Sequence, residues 1–171
     1  QDLLDDFLSF AKIRRLKLEP TSLNQQVKQV LGFFAPKANE SRIEIIDFLA
    51  SDLPLVLLDR ESFHGALLNL VINALQAVVP SGRVEIQARR ASPNTVLIDV
   101  RDTGPGVPAE LQATIFEPYF TTKPDGTGLG LWIVQQILAA HGGAVHVGAR
   151  PTGGAVFTLH LPLREPELGH G

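Results

Sequence analysis

Leu67-Leu68-Asn69-Leu70-Val71-Ile72-Asn73-Ala74-Leu75-Gln76-Ala77-Val78-Val79 is apolar at every position but three. The exceptions, Asn69, Asn73 and Gln76, stand at spacings of four and three, which puts them on one face of a single helix. A helix that is apolar all round except for one polar line reads as buried, and buried amides need hydrogen-bond partners. Nearby backbone or water can supply them. A bound ligand can too, and the residues that follow bear on the choice.

Upstream, Asp59 is placed to cap this helix, and the apolar run 55–58 precedes the cap. Ile43 and Ile45 flank Glu44 in a short strand. Earlier still, Ser22 and Gln25 make a capping-box start for a helix running to about residue 38. Residues 2–18 carry Leu4, Phe7, Leu8 and Ala11 at helical spacing, and Pro20 stops that helix at Glu19. Its apolar stripe needs a cover, either this domain or the other helices of a bundle lying before Gln1. Downstream, Pro80, Ser81 and Gly82 close the amide-bearing helix, and residues 83–89 and 95–101 read as strands joined by a tight connection. A Gly- and Pro-rich stretch, 102–130, leads into a helix over 131–140 that Gly142 and Gly143 stop. Residues 144–148 and 155–161 form a hairpin, and the polar tail from Arg164 is expected to fray. Strands gathered in one layer with helices over one face predict an α+β sandwich.

Composition narrows the class. The 171 residues hold one sizeable domain, or one domain with an appendage. With 44% hydrophobic and 19% charged residues the chain is globular rather than disordered. A formal charge of −3 gives no electrostatic reason to expect nucleic acid. No apolar run reaches the roughly 18 residues that span a bilayer. The absence of cysteine excludes a disulfide framework and thiol chemistry, and fits a reducing compartment. Methionine is absent too and the first residue is Gln1, so the sequence is expected to be a piece of a longer protein.

Two glycine motifs carry chemistry. Asp102-Thr103-Gly104-Pro105-Gly106 directly follows a strand. Its carboxylate accepts only, which suits the exocyclic amine of adenine and repels the oxygen of guanine. The glycines beside it let a flat ring approach the backbone, although an ordinary turn has the same composition. Gly126-Thr127-Gly128-Leu129-Gly130 precedes a helix, where N–H groups and a positive dipole end suit phosphate. It is neither a Walker loop nor a dinucleotide fingerprint, and a plain glycine turn is the alternative. The amide oxygens of Asn69 and Asn73 are hard ligands of the kind Mg²⁺ takes alongside water and substrate phosphates.

In this order the residues resemble the catalytic ATP-binding domain of bacterial sensor histidine kinases, within the Bergerat superfamily. Leu67 to Ala74 is similar to the family's N box and Asp102 to Gly106 to its first glycine box. Phe116-Glu117-Pro118-Tyr119-Phe120 matches the F box, and Gly126 to Leu131 the second glycine box. The end, Gly153-Gly154-Ala155 through Pro162, resembles the closing strand. The short interval between Phe120-Thr121-Thr122-Lys123 and the second glycine box resembles the nitrogen-regulation class.

The resemblance implies a two-layer α/β sandwich, with a mixed, mostly antiparallel sheet of about five strands under three helices and ATP between helices and a lid loop. It implies ATP and Mg²⁺ as cofactors. Asn73 would coordinate Mg²⁺, Asn69 would assist at the metal or phosphates, and Asp102 would bind adenine. Gly104 and Gly106 would line the base pocket, and Gly126, Thr127, Gly128, Leu129 and Gly130 the polyphosphate. Residues 121–126 would form the lid, with Thr121 and Thr122 at its start. Lys123 would be a catalytic phosphate contact beside Asn69 and Asn73, or else a solvated loop lysine. Phe116, Tyr119 and Phe120 anchor the lid in the family and fit equally as core aromatics. Two positions depart from the pattern: Gln76 stands where many relatives carry a lysine or arginine, and Ala155 where many carry a hydroxyl.

Superfamily members that hydrolyse ATP activate water with a glutamate at the position of Asn69. An amide cannot act as a general base. The implied reaction is therefore transfer of the γ-phosphoryl group to a neutral imidazole, carried by positioning and charge neutralisation. In the family that histidine precedes an acidic residue, and none of His64, His141, His146, His160 or His170 does so. The acceptor is expected before Gln1, with residues 1–18 the end of a dimerisation and histidine-phosphotransfer helix and 19–171 the catalytic domain. Implied partners are that upstream domain and a response-regulator receiver domain, in a homodimeric parent, with no nucleic acid and no membrane contact in this stretch, working in the cytoplasm. The alternatives are a nucleotide-responsive switch module without phosphotransfer and, disfavoured by the N-terminal helix and F box, a serine kinase.

Overall fold

Side-chain caps set where the first two helices begin. Ser22 Oγ accepts the N–H of Gln25 at 3.3 Å, and α1 runs from there over Leu23–Glu40. Asp59 Oδ1 accepts the N–H of Ser62 at 3.2 Å and starts α2, Arg60–Ala77. The third helix, α3, spans Gly130–Ala140. The computed structural model describes residues 16–121 and 128–163. Most of the helix expected over residues 2–18 lies outside these. Its last positions, 16–18, are irregular rather than helical.

Pro20 does more than end a helix. β1, Glu19–Thr21, pairs antiparallel with β3, Val56–Leu58, in a ribbon that the sequence reading had not separated from the linker. Proline is tolerated in such an edge strand because its missing N–H faces away from the ladder. Arg60 clamps the ribbon to α2: Nη2 donates to Pro20 O at 2.8 Å and Nε to Thr21 Oγ1 at 3.2 Å.

The main sheet has the order β2-β4-β5-β7-β6. Its strands are β2 (Ile43–Leu49), β4 (Gly82–Ser92), β5 (Thr95–Asp102), β6 (Ala144–Ala149) and β7 (Ala155–Pro162). Only β2 and β4 run parallel, because β3 and the whole of α2 intervene between them. The other neighbours are antiparallel. This is the mixed five-stranded sheet under three helices that the sequence implied, in two layers.

Alternation along each strand sorts the faces. Val84, Ile86, Ile98, Val100, Phe157 and Leu159 point inward and are buried against Leu67, Leu70, Val71, Val134 and Leu138 of the helices. The outward face is polar. There Asp99 lies beneath Arg101 at 3.2 Å and Arg89 at 3.9 Å, and accepts a hydrogen bond from Thr158 Oγ1 at 2.8 Å. One apolar face and one wet face explain the clean period-two pattern read from the sequence.

Candidate functional site

The polar line of α2 is not buried in the core. Asn69 and Asn73 are half-buried and Gln76 is exposed, and all three line a cavity of about 290 Å³. The expectation of buried amides is corrected here. The helix buries Leu67, Leu70, Val71 and Ala74 against the sheet, and its amide line falls where the sheet ends and the 102–130 segment begins. Gly106, Val107, Pro108, Leu111, Phe120, Thr121, Gly128, Gly130 and Phe157 also line the cavity. Phe157 packs edge-on to Phe116 at 6.2 Å, so that F-box aromatic supports the cavity from within the core.

The motifs therefore converge in space. Asn69, Asn73, Gly106, Thr121, Gly128 and Gly130 share one cavity, whereas Asp102, Gly104 and Leu129 are not part of its lining. Asp102 is 1% exposed at the end of β5, and Leu129 is 3% exposed. Thr122, Lys123, Gly126 and Thr127 lie outside the described residues.

Asp102 is held by main chain. Its Oδ1 accepts the N–H of Gly104 at 2.9 Å and of Ala155 at 3.3 Å. Burial pushes its carboxyl above the usual range, partly offset by those two donors and by the charge of Arg150. Gly104 has no room for a side chain, because a Cβ there would sit 2.5 Å from the carbonyl oxygen of Ala77 in α2. The residue that sequence reasoning missed is Gly154. At φ +99 it presses against the carbonyl of Asp102 so closely that any Cβ would collide. The paired glycines 153 and 154 ahead of a strand were the available signal.

Residues 119 and 128 meet in space. Tyr119 N–H donates to Gly128 O at 2.9 Å, with Tyr119 at φ +68 and Gly128 at φ +75. Alanine at 128 would run into the main chain of Tyr119 and Phe120.

His141, just past the end of α3, is 4% exposed. It packs at the start of α2 and bonds to Asp59 there.

Residues 58–165 match the family described as histidine kinase-, DNA gyrase B- and HSP90-like ATPases. The chain belongs to this family. Among these ATPases it is similar to the signal transduction histidine-protein kinase AtoS of Escherichia coli (strain K12). The two are 37% identical over 161 residues, covering 94% of this chain and 26% of AtoS. It is 35% identical to the sensor histidine kinase ZraS of Salmonella typhimurium, over 94% of this chain and 35% of ZraS. The chain thus spans about a quarter to a third of the curated relatives it matches. Among solved structures, the catalytic domain of histidine kinase ThkA superposes with TM-score 0.80 at 32% identity, covering 86% of this chain and 96% of that domain. Full-length ShkA, solved with AMPPNP, gives TM-score 0.84 at 37% identity over 96% of this chain and 36% of ShkA. This ATPase fold is thus an ATP-binding domain of the histidine-kinase catalytic type. None of its described helices is long and apolar enough to cross a membrane.

Among the described residues no three of His, Cys, Asp and Glu gather as a metal cluster. The donors at the cavity are instead the amides of Asn69 and Asn73, one helical turn apart. That set fits a hard cation completed by water and phosphate oxygens.

Proposed function

We propose that this domain binds Mg²⁺-ATP in the cavity under α2 and transfers the γ-phosphoryl group to a histidine on an upstream dimerisation domain. A response-regulator receiver domain then takes the phosphoryl group. The observation that carries the reading is the convergence of the amide line of α2 with the glycines that line the cavity, of which Gly106 shares a motif with the buried Asp102. In this reading Asn73 holds Mg²⁺, Asn69 supports the metal or phosphates, and Asp102 accepts the adenine amine. Gly104 and Gly106 line the base pocket. Gly126, Thr127, Gly128, Leu129 and Gly130 hold the phosphates, with Thr121, Thr122 and Lys123 in the lid. Bound Mg²⁺ would neutralise charge on the phosphates. The chain itself positions the nucleotide and, with an amide at 69, brings no general base to activate water.

In this reading residues 1–18 belong to the upstream dimerisation and phosphotransfer domain, and 19–171 form the catalytic unit of a homodimeric parent acting in the cytoplasm. The short interval in sequence between Phe120-Thr121-Thr122-Lys123 and the second glycine box supports the nitrogen-regulation class. ThkA, to which the chain is 29% identical with TM-score 0.81, has been solved in complex with the response regulator protein TrrA. That complex supports the receiver-domain partner.

Calorimetric titration of ATP with and without Mg²⁺ tests the nucleotide half of the reading. Saturable binding that weakens without metal is the expected result. No binding by folded protein would move the domain to a scaffold role. Fusing a histidine-bearing helical hairpin before Gln1 and following phosphohistidine tests the transfer half.

A further inference from the structure

Arg150 sits in the β6–β7 turn, outside the cavity lining, with a side chain only 16% exposed. Arginine is seldom so covered unless its charge is paired. One arm, Nη1, donates to the main-chain carbonyl of Asp102 at 3.2 Å. The other, Nη2, lies 3.6 Å from the carboxylate of Glu85 on β4. Its own main chain closes the turn: Arg150 N–H donates to Gly154 O at 3.1 Å, and its carbonyl accepts from Gly153 N–H at 3.0 Å.

We propose that Arg150 is a positioning residue for base recognition: it fixes the end of β5 and holds a positive charge beside the carboxylate that accepts the adenine amine. The inference deepens the ATP-binding reading above and rests on it. A protonated acid keeps one acceptor oxygen, but here Oδ1 is taken by the N–H groups of Gly104 and Ala155, so the proton would sit on Oδ2, the oxygen left for the exocyclic amine. Burial drives Asp102 toward that wrong form. Gly104 and Ala155 oppose it with dipoles, and Arg150 opposes it with a full charge. The remaining charged neighbours lie on the outward face of the sheet. On β4, Arg83 and Glu85 flank Val84, the residue paired with Asp102, and on β5 Arg101 and Asp99 bond to each other. The last turn of α2, against Gly104, brings no basic residue. A planar guanidinium can serve the carbonyl and Glu85 at once, whereas an ammonium is a single point charge.

The test is ATP titration with Mg²⁺ across an acidic-to-neutral pH series on wild type, Arg150→Met, Arg150→Lys and Arg101→Met, with thermal melts on each. Arg150→Met is expected to bind ATP about tenfold more weakly, since bonds to charged groups carry that much. It should also lose binding at a higher pH than wild type. Arg150→Lys keeps the charge and restores the wild-type pH profile. Arg101→Met loses its contact with Asp99 on the outward face, opposite Glu85, and leaves the profile as it was, because the Arg101 side chain makes no contact with Asp102. Should Arg150→Met not fold, Arg150→Gln, which keeps a donor without the charge, carries the same expectation. An Arg150→Met protein that melts lower yet binds with wild-type affinity and pH profile would overturn the proposal. Wild-type protein that binds no ATP at any pH would sink the ATP-binding reading, and this inference with it.

Discussion

The main-chain N–H of Asp59 donates to Nε2 of His141 at 3.0 Å, across 82 residues of sequence. Nδ1 of the same ring lies 2.8 Å from Ile137 O. Because Nε2 accepts, Nδ1 carries the proton and donates, so the imidazole is neutral with both nitrogens engaged. Asp59 also caps α2 through Oδ1 and accepts the N–H of Lys17 on Oδ2 at 3.0 Å. One residue thus joins the linker, the start of the amide-bearing helix and the end of α3.

His141→Ala removes both bonds and leaves a void. The expected loss is about 2–4 kcal/mol, combining an unmet buried donor with cavity formation. Urea unfolding measures it, and a midpoint within error of wild type would contradict the arrangement. Ring ¹⁵N shifts should report the Nδ1-protonated form.

Asp102 separates stability from binding. Its folded-state pKa is raised by burial, so folding favours the neutral form. That contribution is fully present below the unfolded pKa and is lost as pH rises through the folded value. At neutral pH the buried charge is a net cost, and Asp102→Asn should melt higher than wild type, the advantage shrinking on acidification. ATP binding should move the other way, falling about tenfold or more at neutral pH because an amide N–H opposes the adenine amine. In wild type, binding should fail on acidification at a higher pH than an ordinary carboxylate would give. Calorimetry and melts on the two proteins check both directions.

Asn73→Ala should bind ATP nearly as weakly with Mg²⁺ as without it. Titrations in the two conditions that still differ as in wild type would move the metal elsewhere.

Gly154→Ala forces a Cβ into the Asp102 carbonyl from a left-handed backbone. A cost of about 1–3 kcal/mol for the strained φ alone is expected, and more for the clash. Gly32→Ala, where nothing lies near the added atom, should not lower the melting temperature. A similar fall in both variants would mean that glycine content rather than contact sets the effect.

Local rules made much of this fold legible. Ser22 and Asp59 announced their helices as caps, and the strands showed their two faces by alternation. The sequence could not distinguish a buried polar line from one facing a cavity, since both give Asn69, Asn73 and Gln76 the same spacing. It also hid contacts made across long separations. The Glu19–Thr21 ribbon depends on residues 56–58, and the burial of His141 depends on Asp59. Nothing in the sequence marks Arg150, because only the closed sheet brings it to Asp102. Likewise, the resemblance implied Asp102 as the adenine contact, but neither its burial nor the close approach of Gly154 to its carbonyl shows in the sequence.

The Tyr119–Gly128 hydrogen bond makes the segment it brackets an exchangeable part. With Tyr119 tied to Gly128, extra residues inserted between them would leave α3 and Phe116 in place. Loop closure then grows only logarithmically, by about 0.6 kcal/mol for each doubling of length. The same frame can therefore carry covers of quite different size.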